Sequence, residues 1–154
     1  MSINSYLFKS KKEDIYKLEK QDDIKSKFNG IESNGIDPTT LTKLESILSG
    51  EDYYHICEKG DYSIIHRFEE DSGPIFISSS SSLARCLKSL NKEQKHDILE
   101  KWCQTQEMSL YGWTPEKAEH IIDWLLNAST DCNDPREEII LFVDLESAQT
   151  TSMS

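Results

Sequence analysis

Apolar positions along the chain switch between a period of about two and a period of about 3.6, and the switches mark out its elements. Residues 3–8, INSYLF, read as a short strand. A helix is expected from about Lys11, with Ile15 and Leu18 on one face. Ser10 precedes Glu13 by three residues, the spacing of a reciprocal capping box. Gln21 to Phe28 continues or restarts that helix, with Ile24 and Phe28 four apart, and Asn29-Gly30 and Asn34-Gly35 bracket a turn-rich connection. Asp37-Pro38 supplies an N-cap and a first-turn proline for a helix whose stripe is Leu41, Leu44 and Leu48, and Gly50 is placed to stop it.

Residues 62–68, YSIIHRF, and 74–78, PIFIS, read as two strands of a hairpin whose loop, Glu69 to Gly73, puts three carboxylates at its tip. The serine run Ser78–Ser82 reads as a helix start, because Leu83, Leu87 and Leu90 follow at helical spacing. Asn91 and Gln94 form a second capping signal, ahead of Ile98, Leu99, Trp102 and Cys103 facing inward. Thr114-Pro115-Glu116 opens the last helix, with Ala118, Ile121, Ile122, Leu125 and Leu126 as its inner face. The run Ile139 to Val143, five apolar residues, suits a central strand covered on both faces. Together these elements predict an α+β fold: a single domain over residues 1–146, about five helices packed on a small mixed β-sheet, and a frayed tail over 147–154.

A chain of 154 residues buries about 70% of its unfolded surface, so neither a disulfide nor a metal is required for folding. Cys57, Cys86, Cys103 and Cys132 are widely spaced and form no CxxC, which fits a reduced, cytoplasmic protein. No apolar run approaches the roughly 20 residues that cross a bilayer, and the first residues do not read as a signal peptide. No membrane association is expected.

Charge changes the picture more than composition does. The net charge is −11, unevenly spread. Residues 51–71 carry seven carboxylates against Lys59 and Arg67, and residues 113–146 carry nine against Lys117 and Arg136. The first block interleaves its acids with Tyr53, Tyr54 and Tyr62. Such a surface attracts a basic protein and repels nucleic acid phosphates. The expected partner-binding residues are Glu51, Asp52, Tyr53, Tyr54, Asp61, Tyr62, Glu69, Glu70 and Asp71: carboxylates to meet Lys and Arg, tyrosines to give rigid contact area. The same residues also fit a solvated loop and hairpin.

Candidate chemistry is sparse. His55 and Cys57, with His66 further on, are the one arrangement that hints at a thiolate nucleophile. No second Cys or His pair completes a zinc set, and DCNDPREE lacks the spacing and turn glycine of a calcium loop, so no metal is expected. No GxGxxG, P-loop, GxSxG or HExxH occurs, so no cofactor, nucleotide or catalytic residue is assigned. Trp102 and Trp124 fall at core spacing and do not read as base-stacking platforms.

Over roughly residues 36–145, DPTTLTKLESILSG, SLARCLKSLNKEQ, GWTPEKAEHIIDWLL and EIILFVDL resemble the element order of small uncharacterised bacterial proteins, which carry no catalytic residues to transfer. In size, acidity and lack of a catalytic constellation the chain also resembles immunity proteins of bacterial toxin–immunity pairs. That resemblance implies a non-enzymatic inhibitor with a toxin domain as partner, a nuclease for example, neutralised by covering its basic active-site cleft. A small Cys/His enzyme and a non-catalytic adaptor module are the other readings that the residues allow.

Overall fold

The computed structural model describes residues 4–19, 23–59, 62–67, 74–79, 81–130 and 136–144. These form two compact units, one from the segments up to Asp37, Ser63–Ser79 and the C-terminal strand, the other from Pro38–Tyr62 and Ser80–Asp131. The fold is α+β, with a five-stranded sheet and eight helices among the described residues.

The first unit holds the sheet, in the order β2 (Gly30–Glu32), β1 (Asn4–Lys11), β5 (Glu137–Asp144), β4 (Ile75–Ser78), β3 (Ser63–Arg67). Two short helices, α1 (Lys12–Tyr16) and α2 (Ile24–Lys27), belong to the same unit. Pleating puts Tyr6, Phe8, Ile140, Phe142 and Phe76 side by side, since Tyr6 pairs with Phe142, Phe8 with Ile140 and Phe76 with Phe142. Ile15, Leu18 and Ile24 from the helical segments complete this cluster. Leu7, Leu141, Val143, Ile75 and Ile77 are buried on the opposite face, so β5 is covered on both sides, as its unbroken apolar run predicts. The β3–β4 hairpin forms as expected, and its tip, residues 68–73, lies outside the described residues.

Three expectations change. Every described strand pairing is antiparallel, where a mixed sheet was expected. Ser10 caps no helix: the ladder to β5 extends through it, opposite Glu138, and α1 starts after Lys11 with no side-chain cap. The connection between the two Asn-Gly pairs contains a strand, β2, which pairs antiparallel with Tyr6, Leu7 and Phe8 of β1 and is also tied to the Tyr6 side chain. The Tyr6 hydroxyl accepts from the Gly30 N–H at 2.8 Å and donates to the Phe28 carbonyl at 2.9 Å.

Gly30 sits so close to β1 that a Cβ there would lie 2.0 Å from the Leu7 carbonyl oxygen and 2.8 Å from the Phe8 Cβ. Gly30→Ala must therefore push β2 off its partner strand, and a loss of about 1–3 kcal/mol is expected in urea unfolding. A stability within about 0.5 kcal/mol of the parent would show that β2 is not seated there.

The second unit is helical: α3 (Pro38–Ser49), α4 (Tyr53–Lys59), α5 (Ser81–Lys88), α6 (Lys92–Cys103), α7 (Gln106–Leu110) and α8 (Pro115–Thr130). α3 packs against α4, α5, α6 and α7, and α8 against α5 and α6. The sequence signals for α3, α5, α6 and α8 hold, and α4 and α7 are short helices that periodicity did not reveal. Gly50 ends α3 at φ 78°, a left-handed conformation that glycine takes without a Cβ penalty. At α6 the capping box is complete: Asn91 Oδ1 accepts from the Gln94 N–H at 2.8 Å, and Gln94 Oε1 accepts from the Asn91 N–H at 3.2 Å. Trp102, 0% exposed, donates its indole N–H to the Thr40 carbonyl at 2.9 Å and so locks α6 to α3.

Candidate functional site

The acidic–aromatic segment folds as α4 and the turn before it. Asp52 is the local organiser: its side chain accepts from the Tyr54 N–H at 3.1 Å and its carbonyl from the Ile56 N–H at 3.1 Å. That is N-capping geometry, which favours an acid whether or not a partner exists. Glu51 pairs with Lys59 at 2.6 Å across α4, and the Lys59 hydrogen bond holds its carboxyl below the usual carboxylate range. The Glu51 carbonyl also accepts from Ser46 Oγ at 2.6 Å, which ties the turn to α3.

The three tyrosines have different surroundings. Tyr53 is half-buried, with Lys43 Nζ 4.7 Å from its ring centroid and Lys43 in turn 3.7 Å from Glu107 Oε1. Burial, followed by its hydrogen bond with Cys57, pushes the Tyr53 phenol above its ordinary value. Tyr62, beyond α4, donates back to Glu45 Oε1 at 3.1 Å and is half-buried. Tyr54 alone points outward: it is 72% exposed, braced edge-to-face on Tyr53 at 5.3 Å between ring centroids. Asp52, His55 and Glu58 are exposed around it.

The structure thus brings Glu51, Asp52, Tyr53 and Tyr54 together at one end of α4 and returns Tyr62 to α3. Asp61, Glu69, Glu70 and Asp71 lie outside the described residues. In the second acidic block, Glu119 and Asp123 clamp Lys95 at 3.0 and 2.6 Å, and Glu138 accepts from Ser78 Oγ at 2.8 Å. These carboxylates are occupied within their own units, and Asp131 and Asp134 lie outside the described residues.

Sequence reasoning missed Glu45. It is 1% exposed although it is a carboxylate. The signal was present: Glu45 stands four residues after Leu41 and three before Leu48, on the apolar stripe of α3.

Two clefts flank this region of the helical unit. One, of about 200 Å³, is lined by Thr39, Thr42, Tyr53, Ile56, Cys57 and Tyr62. The other, of about 320 Å³, runs between α3 and α5 and includes Glu45, Glu51, Arg85 and Cys86.

His55 and Cys57 are two residues apart on α4, a spacing that turns them to different sides of the helix. His66 packs its ring against Tyr16 and Phe76 at 6.3 and 5.9 Å. Burial pushes the Cys86 and Cys103 thiols up, which keeps them protonated and slow. N-ethylmaleimide at neutral pH is therefore expected to modify exposed Cys57 well before Cys86 and Cys103, read by peptide mass spectrometry. Equal rates at all three would show that burial does not protect the latter two.

Among the described residues no group of three His, Cys, Asp or Glu is placed to hold a metal ion, and no helix is long and apolar enough to cross a membrane. No protein-family model matches the chain, and neither a curated protein nor a solved structure matches it.

Proposed function

We propose that this chain is a non-catalytic, cytoplasmic binding protein that neutralises a basic protein partner, as immunity proteins neutralise their cognate toxins. The observation that carries the reading is the α4 surface: a tyrosine 72% exposed, held rigid by a second tyrosine and surrounded by exposed acids. A rigid amphipathic ring of this kind gives contact area at little entropic cost, and acids around it steer a cationic surface into place. Those two properties support a reading in which the surface occludes a basic active-site cleft, such as that of a nuclease toxin. Tyr54, Asp52 and Glu58 make the first contacts in this reading, and Asp61, Glu69, Glu70 and Asp71, outside the described residues, are further acids that the sequence offers to a basic partner.

Where a secreted protein is encoded immediately upstream, the test is calorimetry against its C-terminal domain at low and high salt. Nanomolar affinity that weakens with salt is expected, because steering between opposite charges is screened over about 10 Å at 0.1 M. Absence of binding at both salts would sink the proposal. With a complex in hand, unchanged affinity on replacing Glu69, Glu70 and Asp71 together by Ser would remove the hairpin tip from the interface.

A further inference from the structure

The tyrosine pair of α4 already holds one cation, on its inner ring. Lys43 Nζ lies 4.7 Å from the Tyr53 ring centroid, and Glu107 Oε1 lies 3.7 Å from the same nitrogen. A ring and a carboxylate thus share one base, the ring through its negative face and the acid through its charge. Tyr54 and Glu58 repeat the ring and the acid on the outside of the helix. They stand four apart within α4, so they share a face, and both are exposed. A helical side chain leans toward the N-terminus, which carries Glu58 back toward the Tyr54 ring.

Among the described residues no ion pair or cation–π contact involves Tyr54 or Glu58. The lysine of the same helix, Lys59, is committed to Glu51 at 2.6 Å. The Tyr54 ring is also open to a cation from outside. It meets Tyr53 at 78°, so whichever ring offers its edge, at least one face of Tyr54 stays in solvent. The cation that suits such a ring is a guanidinium. Lys43 is tethered beside Tyr53 by its own chain, whereas a cation arriving from solution must give up water to stack. An ammonium is compact and strongly hydrated. A guanidinium is weakly hydrated, lies flat on a ring and keeps N–H groups in its plane for a carboxylate.

Resting on the basic-partner reading, we infer that the partner presents an arginine here, its guanidinium stacked on the outer face of Tyr54 and donating to Glu58. The experiment measures binding of fluorescein-labelled octa-arginine and octa-lysine to the full chain by anisotropy at low salt, with backbone-amide NMR to locate the contact. Octa-arginine is expected to bind about fivefold more tightly, the scale of one cation–π contact, with shifts centred on residues 52–58. Tyr54→Leu, which keeps an apolar side chain and removes the π face, is expected to bring the two peptides to equal affinity. Glu58→Gln is expected to weaken octa-arginine more than octa-lysine. Equal affinities for the parent chain, an arginine preference that survives Tyr54→Leu, or shifts that avoid α4 each overturn the inference. Equal affinities leave the basic-partner reading standing, since a partner that docks through lysines satisfies it; that reading is decided by the calorimetry with the partner.

Discussion

Trp102→Ala is expected to lower stability by about 3–5 kcal/mol, the range for deleting a fully buried large aromatic side chain. The effect has two parts. The indole, 0% exposed, fills the space where α6 meets α3, and neighbouring side chains can collapse into the vacated volume only in part. Its N–H also reaches the Thr40 carbonyl at 2.9 Å, across 62 positions of sequence. Trp102→Phe separates the two, since it keeps most of the volume and removes the hydrogen bond, and it is expected to cost about 1–3 kcal/mol. Urea unfolding followed by far-UV circular dichroism reads both. A Trp102→Ala loss below that of Trp102→Phe would mean that the indole is not the packing element described here.

Tyr54→Ala is expected to leave stability within about 0.5 kcal/mol of the parent, because the ring is largely outside the core. In contrast, affinity for the basic partner is expected to fall by about 2 kcal/mol, roughly thirtyfold, the scale of an aromatic anchor at the centre of an interface. Tyr53→Ala is the useful companion. It removes the brace under Tyr54 and the ring beneath Lys43, so it alters both affinity and stability. Calorimetry on the three proteins distinguishes the roles, and an unchanged affinity for Tyr54→Ala would take α4 out of the interface.

The candidate site was legible only in part. The acids and tyrosines of 51–62 were visible as a composition, yet composition does not say which face each residue takes. Asp52 caps α4 while staying exposed, Glu51 is paired with Lys59, and the aromatic that remains outward is Tyr54. Short helices such as α4 and α7 span too few residues for an apolar period to repeat, so neither stood out. The cleft that Glu45 and Arg85 line gave no composite signal, because they lie on helices separated by α4, β3 and β4 in the chain.

What the sequence by itself determined is local. Asn91 with Gln94, Thr114-Pro115, Asp37-Pro38 and Gly50 mark helix ends because a cap is satisfied within a turn of its own backbone. Ile139 to Val143 marked a central strand because five successive apolar residues leave no polar face for water. Tertiary structure alone decided strand direction and extent. Ser10 would cap a helix if its neighbours were considered alone, but the ladder opposite Glu138 claims its backbone first. β2 exists because residues 30–32 pair antiparallel with Tyr6 to Phe8 of β1, more than 20 positions away in the chain, and the Tyr6 hydroxyl adds a bond to the Gly30 N–H. Such pairings depend on partners that only the folded chain brings within hydrogen-bonding reach, and no local pattern of residues encodes them.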